Sequence, residues 1–282
     1  MRRSRNGVNC RACAGRRAVA VKGRILGVRL AAICSATWVA VASCAALPED
    51  PYLGVPIRTT YPHTLTRLEN QGFSVGYDER RKVSAWAAYR LGANLGLHSF
   101  ARPSRFRVDS RSQARVSHEA YTGSGYSRGH LAPNYAIMTR YGRRAQPQTF
   151  FMTNVVPQRQ ALNGGPWAAL EQRIARDYAN QFDAVWVLTG PLFDDDAEWL
   201  ASGVEIPDAF YKVVVREATS TPRALAFIMA ADARGPVALD TFLVSIDDVE
   251  AWAGLDFFHE LEDPVETTLE GTRARTLWPL ES

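Results

Sequence analysis

Residues 123–133 read GSGYSRGHLAP, and residues 154–171 read NVVPQRQALNGGPWAALE. The first stretch places His130 between a glycine-rich turn and a proline, with Arg128 two positions ahead of it. The second continues a β-branched and aromatic run, TFFMTNVV at 149–156, that ends at Pro157 as a strand should. From Trp167 to Tyr178 the apolar residues fall at 167, 170, 174 and 178, which is helical spacing. Asn163 lies where that helix begins, with Gly164, Gly165 and Pro166 as the turn leading in. The expected unit is strand–strand–helix: His130 on or next to one strand, Asn154 ending another, and Asn163 opening a helix that carries Glu171 two turns on. Such a unit can bring a strand histidine opposite a helix-start asparagine.

Working outward, the surrounding chain reads as one mixed α/β domain without repeats or low-complexity segments. Phe73–Tyr77 and Val83–Leu91 look like strands, and 102–121 is polar and irregular. AVWVLTGPLF (184–193), AFYKVVV (209–215) and ALAFIMAA (224–231) read as three further buried strands. Ser245 is positioned to cap a short helix over Ile246–Ala253, which Gly254 would close. With 282 residues, 46% of them hydrophobic and 22% charged, the chain has the composition of a globular protein.

The formal charge of +4 conceals three regions. Residues 1–43 hold nine Lys/Arg and no Asp/Glu, which leaves 24 basic residues against 29 acidic in the remainder. Residues 51–150, which contain GSGYSRGHLAP, carry 15 basic and 5 acidic; residues 151–282 carry 9 and 22. A positive field beside the motif and an acidic body elsewhere suit a polyanionic substrate. All four cysteines, Cys10, Cys13, Cys34 and Cys44, lie in the first 44 residues, so the domain beyond them has no internal disulfide.

The organisation expected is a leader over 1–44, a linker over 45–60 and a domain over 61–282. Within the leader, LAAICSATWVAVASCAAL (30–47) is uncharged. It falls short of the roughly 20 apolar residues of a membrane helix. It reads as the hydrophobic region of an export signal, and Val41-Ala42-Ser43-Cys44 resembles a bacterial lipobox whose cysteine is lipidated. The expected location is extracytoplasmic, membrane-anchored through Cys44 or released by cleavage; the alternative is an organelle-type leader.

SRGHLAP followed in order by NVVPQRQALNGGPWAALE resembles the DNA/RNA non-specific endonuclease family of ββα-metal, endonuclease G-like nucleases. The likeness continues through TGPLF, IPDAFYKVVV and LDTFLVSIDDVEAWAGLDFF. It implies an α+β fold with a central antiparallel sheet flanked by helices, and a ββα-metal finger as active site. It implies hydrolysis of phosphodiester bonds in DNA and RNA, with Mg²⁺ as cofactor and Mn²⁺ as a substitute. It also gives each residue a role: His130 as general base, Asn163 as metal ligand, Glu171 behind it orienting water at the metal, Arg128 against the phosphate, and Asn154 supporting the site. An upstream arginine, Arg105 or Arg107 in RFRVD, would contact substrate. Relatives of this kind are often homodimers.

The chemistry agrees. Phosphodiester cleavage needs a deprotonated water in line with the leaving oxygen, and a histidine of pKa about 6.5 is a natural base near neutrality. Mg²⁺ prefers oxygen ligands and keeps several waters, so one asparagine carbonyl beside the substrate phosphate suffices without a carboxylate cage. One departure stands out: the family begins this motif with aspartate, where this chain has Ser127. Loss of that carboxylate could loosen the turn or alter how Arg128 is held, and the alternative reading is a non-catalytic nucleic-acid-binding lipoprotein of the same fold.

Overall fold

The computed structural model describes residues 54–60, 64–94, 96, 100–216 and 222–280, all within the unit Ala45–Ser282. The leader with its four cysteines, His63 and His98 lie outside the described residues. The longer strands are β1 (Thr66–Asn70), β2 (Phe73–Asp78), β3 (Val83–Gly92), β4 (Ser127–His130), β5 (Val155–Gln158), β6 (Ala184–Leu192), β7 (Ala209–Arg216) and β8 (Arg223–Ala230). The helices that matter here are α1 (Asn134–Tyr141), α2 (Gln160–Asn163), α3 (Pro166–Gln172), α4 (Ile246–Ala253) and α5 (Asp263–Gly271).

A seven-stranded antiparallel sheet runs in the order Leu243–Val244, β8, β7, β6, β3, β2, β1. β6 is buried along its whole length because both faces of the sheet are covered, which is why AVWVLTGPL reads as a continuous apolar run. The pleat of β7 sorts its side chains. Phe210 and Val214 join one core with Trp167, Leu170 and Ile174; Tyr211, Val213 and Val215 join a second with Ile246, Val249 and Phe257. The layers are therefore helix, sheet, helix, with α3 on one face and α4 on the other. Gly190, inside β6, has to be glycine: a Cβ there would lie 2.1 Å from the Ala85 carbonyl oxygen and 2.7 Å from the Tyr211 hydroxyl.

The expected strands at 73–77, 83–91, 184–193, 209–215 and 224–231 form within a residue or two of their ends. α4 starts at Ser245, whose Oγ accepts from the Asp248 N–H at 3.1 Å while Asp248 Oδ2 accepts from the Ser245 N–H at 3.0 Å, a reciprocal capping box.

Four local expectations are corrected. TFFMTNVV is not one strand: Gln146–Phe150 and Met152–Asn154 form 3₁₀ turns, and β5 begins only at Val155. Asn154 accordingly precedes β5 instead of ending it. Pro157 lies inside β5, opposite Arg128; β4 and β5 form a two-stranded ribbon, so a residue with no N–H is tolerated there. Asn163 ends the single-turn α2, and Gly165 is the residue from which α3 starts. α3 then runs on through a wide i→i+5 stretch, Arg173–Tyr178, to Gln181. Finally, the segment 45–60, expected as a linker, joins the domain at Ile57–Arg58, which pair with Leu255–Asp256.

Candidate active site

The β4–β5 ribbon is held in register by His130 opposite Val155 and Ser127 opposite Gln158. At its Ser127 end the chain turns directly into α2, and Ser127 Oγ donates to Gln160 Oε1 at 2.6 Å, tying β4 to that helix. Arg128 and His130, two positions apart on a strand, share one face of the ribbon.

His130 is half-buried. Its ring lies 5.1 Å from Phe106 and 5.1 Å from Phe150, the latter edge-on. Its Nε2 is buried and has no hydrogen-bond partner among the described residues, so Nδ1 is the nitrogen able to meet water. Burial, followed by the charge of Arg102, lowers its pKa to about 3. The imidazole is therefore neutral, in the state a general base requires.

The aromatic cover comes from a distant stretch. Arg107 bridges Phe151: its N–H donates to the Phe150 carbonyl at 2.8 Å and its carbonyl accepts from Met152 at 2.9 Å. This lays Phe106 over His130. Asp109 then locks the stretch in place by accepting from both sides of Arg111 and, at 2.7 Å, from Thr153 Oγ1. Burial works against the Asp109 charge, but the bonds from Arg111 and Thr153 hold its pKa below the usual carboxylate value.

Asn154 is a supporting residue by geometry. Its Oδ1 accepts from the Ala132 N–H at 2.9 Å, and its Nδ2 donates to the carbonyls of Ala132 and Thr149 at 3.0 Å each. The amide is fully used in pinning the turn after His130 and has no oxygen to spare for a metal. Asn163 is the reverse case: half-exposed, its carboxamide makes no hydrogen bond among the described residues. A free amide oxygen suits a hard cation such as Mg²⁺.

Arg128 donates through Nε and Nη2 to the His118 carbonyl at 3.1 and 2.6 Å, and through Nη2 to Thr122 Oγ1 at 3.0 Å. One edge of the guanidinium is thus fixed, and Nη1 makes no hydrogen bond among the described residues. The Ser127 substitution does not touch this arrangement, because Arg128 is held by the 118–122 turn and not by residue 127. Arg105 and Arg107 are both exposed: Arg105 pairs with Glu119, while Arg107 donates to the Pro147 carbonyl and lies over the Phe151 ring.

Glu171, on α3, faces the central sheet. Burial raises its pKa while Lys212 opposes the shift. Lys212 is fully buried on β7, donates to Thr189 Oγ1 at 3.1 Å and lies 4.4 Å from the centre of the Trp167 ring; burial lowers its pKa and Glu171 counteracts it. The sequence reading missed Lys212, although one lysine in the apolar AFYKVVV was a visible signal. It also missed Arg102, Phe106 and Phe150, for which no local signal existed. His118 accepts from the Phe106 N–H at 3.3 Å and stacks on that ring.

A two-stranded ribbon carrying the histidine, running into a helix that presents an asparagine, against an antiparallel sheet, is the ββα-metal fold. A profile of the DNA/RNA non-specific endonuclease family matches residues 57–264, and the chain belongs to that family. Human mitochondrial nuclease EXOG is 32% identical over 208 residues, covering 67% of this chain and 56% of EXOG, so the chain accounts for little more than half of that relative's length. Nuclease C1 of Cunninghamella echinulata var. echinulata is 33% identical over 69% of this chain and 83% of its own. Human mitochondrial endonuclease G is 32% identical over 66% and 67%. Among solved structures, EndoG in complex with EndoGI superposes with a TM-score of 0.64 at 26% identity, over 76% of this chain and 94% of that one.

Proposed function

We propose that this chain is a metal-dependent, sugar-non-specific endonuclease that hydrolyses phosphodiester bonds in DNA and RNA. The observation that carries the reading is His130: a neutral imidazole with one nitrogen sealed and the other free, on the strand next to a half-fixed arginine and joined by a short ribbon to an unpaired asparagine. Family membership and the nuclease names of its relatives support it.

In this reading Nδ1 of His130 takes the proton from the attacking water, and Phe106 and Phe150 keep the ring dry and oriented. Arg128, already anchored through Nε and Nη2, offers Nη1 to a phosphate oxygen and stabilises charge that develops there. Arg105 and Arg107 meet neighbouring phosphates. Asn154 acts through the turn it pins and holds His130 in line. Asn163 Oδ1 would hold a hydrated Mg²⁺, or Mn²⁺ in its place, which supplies Lewis-acid stabilisation of the phosphate and the leaving oxygen. Glu171, with its proton affinity raised by burial, orients solvent next to Asn163.

The test is digestion of plasmid and RNA, with and without EDTA, by the wild type and by His130→Ala. The expected result is EDTA-sensitive cleavage of both polymers by the wild type, and loss of at least about 100-fold in rate for the variant with its fold and DNA binding retained. A variant cutting at the wild-type rate would refute the assignment. Salt-sensitive binding by a wild type that yields no metal-dependent products would favour the non-catalytic alternative.

For location, the leader supports export with Cys44 as the new, lipidated N-terminus, and the homodimer remains part of the same proposal. The organelle-type alternative draws support from the mitochondrial names of the animal relatives. Mass spectrometry of the mature N-terminus separates the two.

A further inference from the structure

Across the sheet from His130, carboxylates crowd a cleft of about 460 Å³ between α4 and α5. Asp247 and Glu250 stand one turn apart on α4, Glu266 and Glu270 one turn apart on α5, and Asp256 follows α4. Like charges at such spacings destabilise helices, so the arrangement costs stability unless something neutralises it. One carboxylate oxygen from each of Asp247, Glu250 and Glu270 lies within 4.8 Å of the other two.

A second, independent observation points the same way. Glu270 is only 8% exposed, and its Oε1 is buried with no hydrogen-bond partner among the described residues. A carboxylate oxygen removed from water and left unbonded is costly, and Glu270 lines the same cleft as Asp247 and Glu250. Glu250 uses Oε1 to accept from the Phe257 N–H at 2.7 Å, which fixes its orientation. The charges acting most strongly on Glu270 are all acidic: Glu250, Glu266, Asp247 and Asp256.

We propose that Asp247, Glu250 and Glu270 form a divalent-cation site of the calcium class, on the opposite side of the sheet from the candidate active site, clamping α4 to α5. Three carboxylates in an irregular arrangement suit Ca²⁺, which takes oxygen ligands in flexible geometry, whereas Mg²⁺ demands near-ideal octahedral order and keeps several waters. The site is independent of the nuclease reading, because none of its ligands belongs to that centre.

The test is thermal unfolding of the full chain in EDTA, in about 5 mM CaCl₂ and in about 5 mM MgCl₂, for the wild type, Asn163→Ala, Glu270→Gln and the exposed-position variant Asp247→Asn. The expected result is a Tm rise of several degrees with calcium in the wild type and in Asn163→Ala, a smaller rise with magnesium, and loss of the calcium effect in both carboxylate variants. In EDTA, Asp247→Asn should melt no lower than the wild type, since it removes a repelling charge. A calcium shift of equal size in Asp247→Asn, or no shift in the wild type, overturns the proposal. Should Glu270→Gln fail to fold, Asp247→Asn carries the test alone.

Discussion

His130 has its titration set by residues that approach it from elsewhere in the chain. Phe106 and Phe150 remove it from water and Arg102 adds an unfavourable charge, so the folded protein releases that proton at about 3, against about 6.5 for an unperturbed imidazole. The sign follows from linkage: between these two values the unfolded chain binds a proton that the folded chain refuses, so stability falls as pH drops through the window. Replacing His130 with asparagine removes that contribution. Urea unfolding at about pH 7 and about pH 4.5 should show a loss of stability smaller than the wild type's, by on the order of 1 kcal/mol. Equal losses in the two proteins would show that His130 is not the group responsible. His130, Arg128, Asn163 and Glu171 were legible as residues because they sit in contiguous motifs. The groups that tune His130 were not, because nothing local to Arg102, Phe106 or Phe150 marks them as its neighbours.

At the scale of elements, the five longest strands were legible and the 149–156 stretch was not. β-branched and aromatic residues favour an extended chain, but whether they form a strand depends on a partner. Here the stretch meets Arg107 through one bridge and otherwise packs as two 3₁₀ turns, which bring the Asn154 amide onto Ala132. Asn163 was likewise read as opening a helix when it closes one. β6 offers a clean test of sheet packing. Gly190→Ala would press a methyl group against the Ala85 carbonyl, which as backbone in β3 cannot move aside. A loss of about 1–3 kcal/mol in denaturant unfolding is expected, with the candidate active site unaffected in kind. A neutral substitution would mean that β3 and β6 can separate without cost.

Over the whole molecule, the charge imbalance of the sequence acquires direction. Arg102, Arg105, Arg107 and Arg128 belong to the face that carries His130, while the carboxylates of α4 and α5 occupy the other side of the sheet. A polyanion is drawn to one side and repelled by the other. With these four arginines engaged, log Kd for DNA measured with His130→Ala in EDTA should change with log salt at a slope of about 3 to 4. Arg105→Ala should lower that slope by about one and leave sequence preference unchanged. Fluorescence anisotropy across a salt series reads both quantities, and a slope near zero would place nucleic acid elsewhere or exclude it.

The sequence by itself determined the local unit and the residues it gathers. A histidine in SRGHLAP and an asparagine 33 positions later are joined by a short ribbon, and their contiguity fixes which groups share it. It also determined the buried strands, through continuous apolar runs. Only the tertiary structure decided the state of those groups: which nitrogen of His130 is sealed, that Asn154 is spent on the backbone while Asn163 is free, and that Lys212 stands under Glu171. It alone gathered Asp247, Glu250 and Glu270 around one cleft. Burial and through-space charge depend on distances between segments far apart in the chain, and no single segment carries that information.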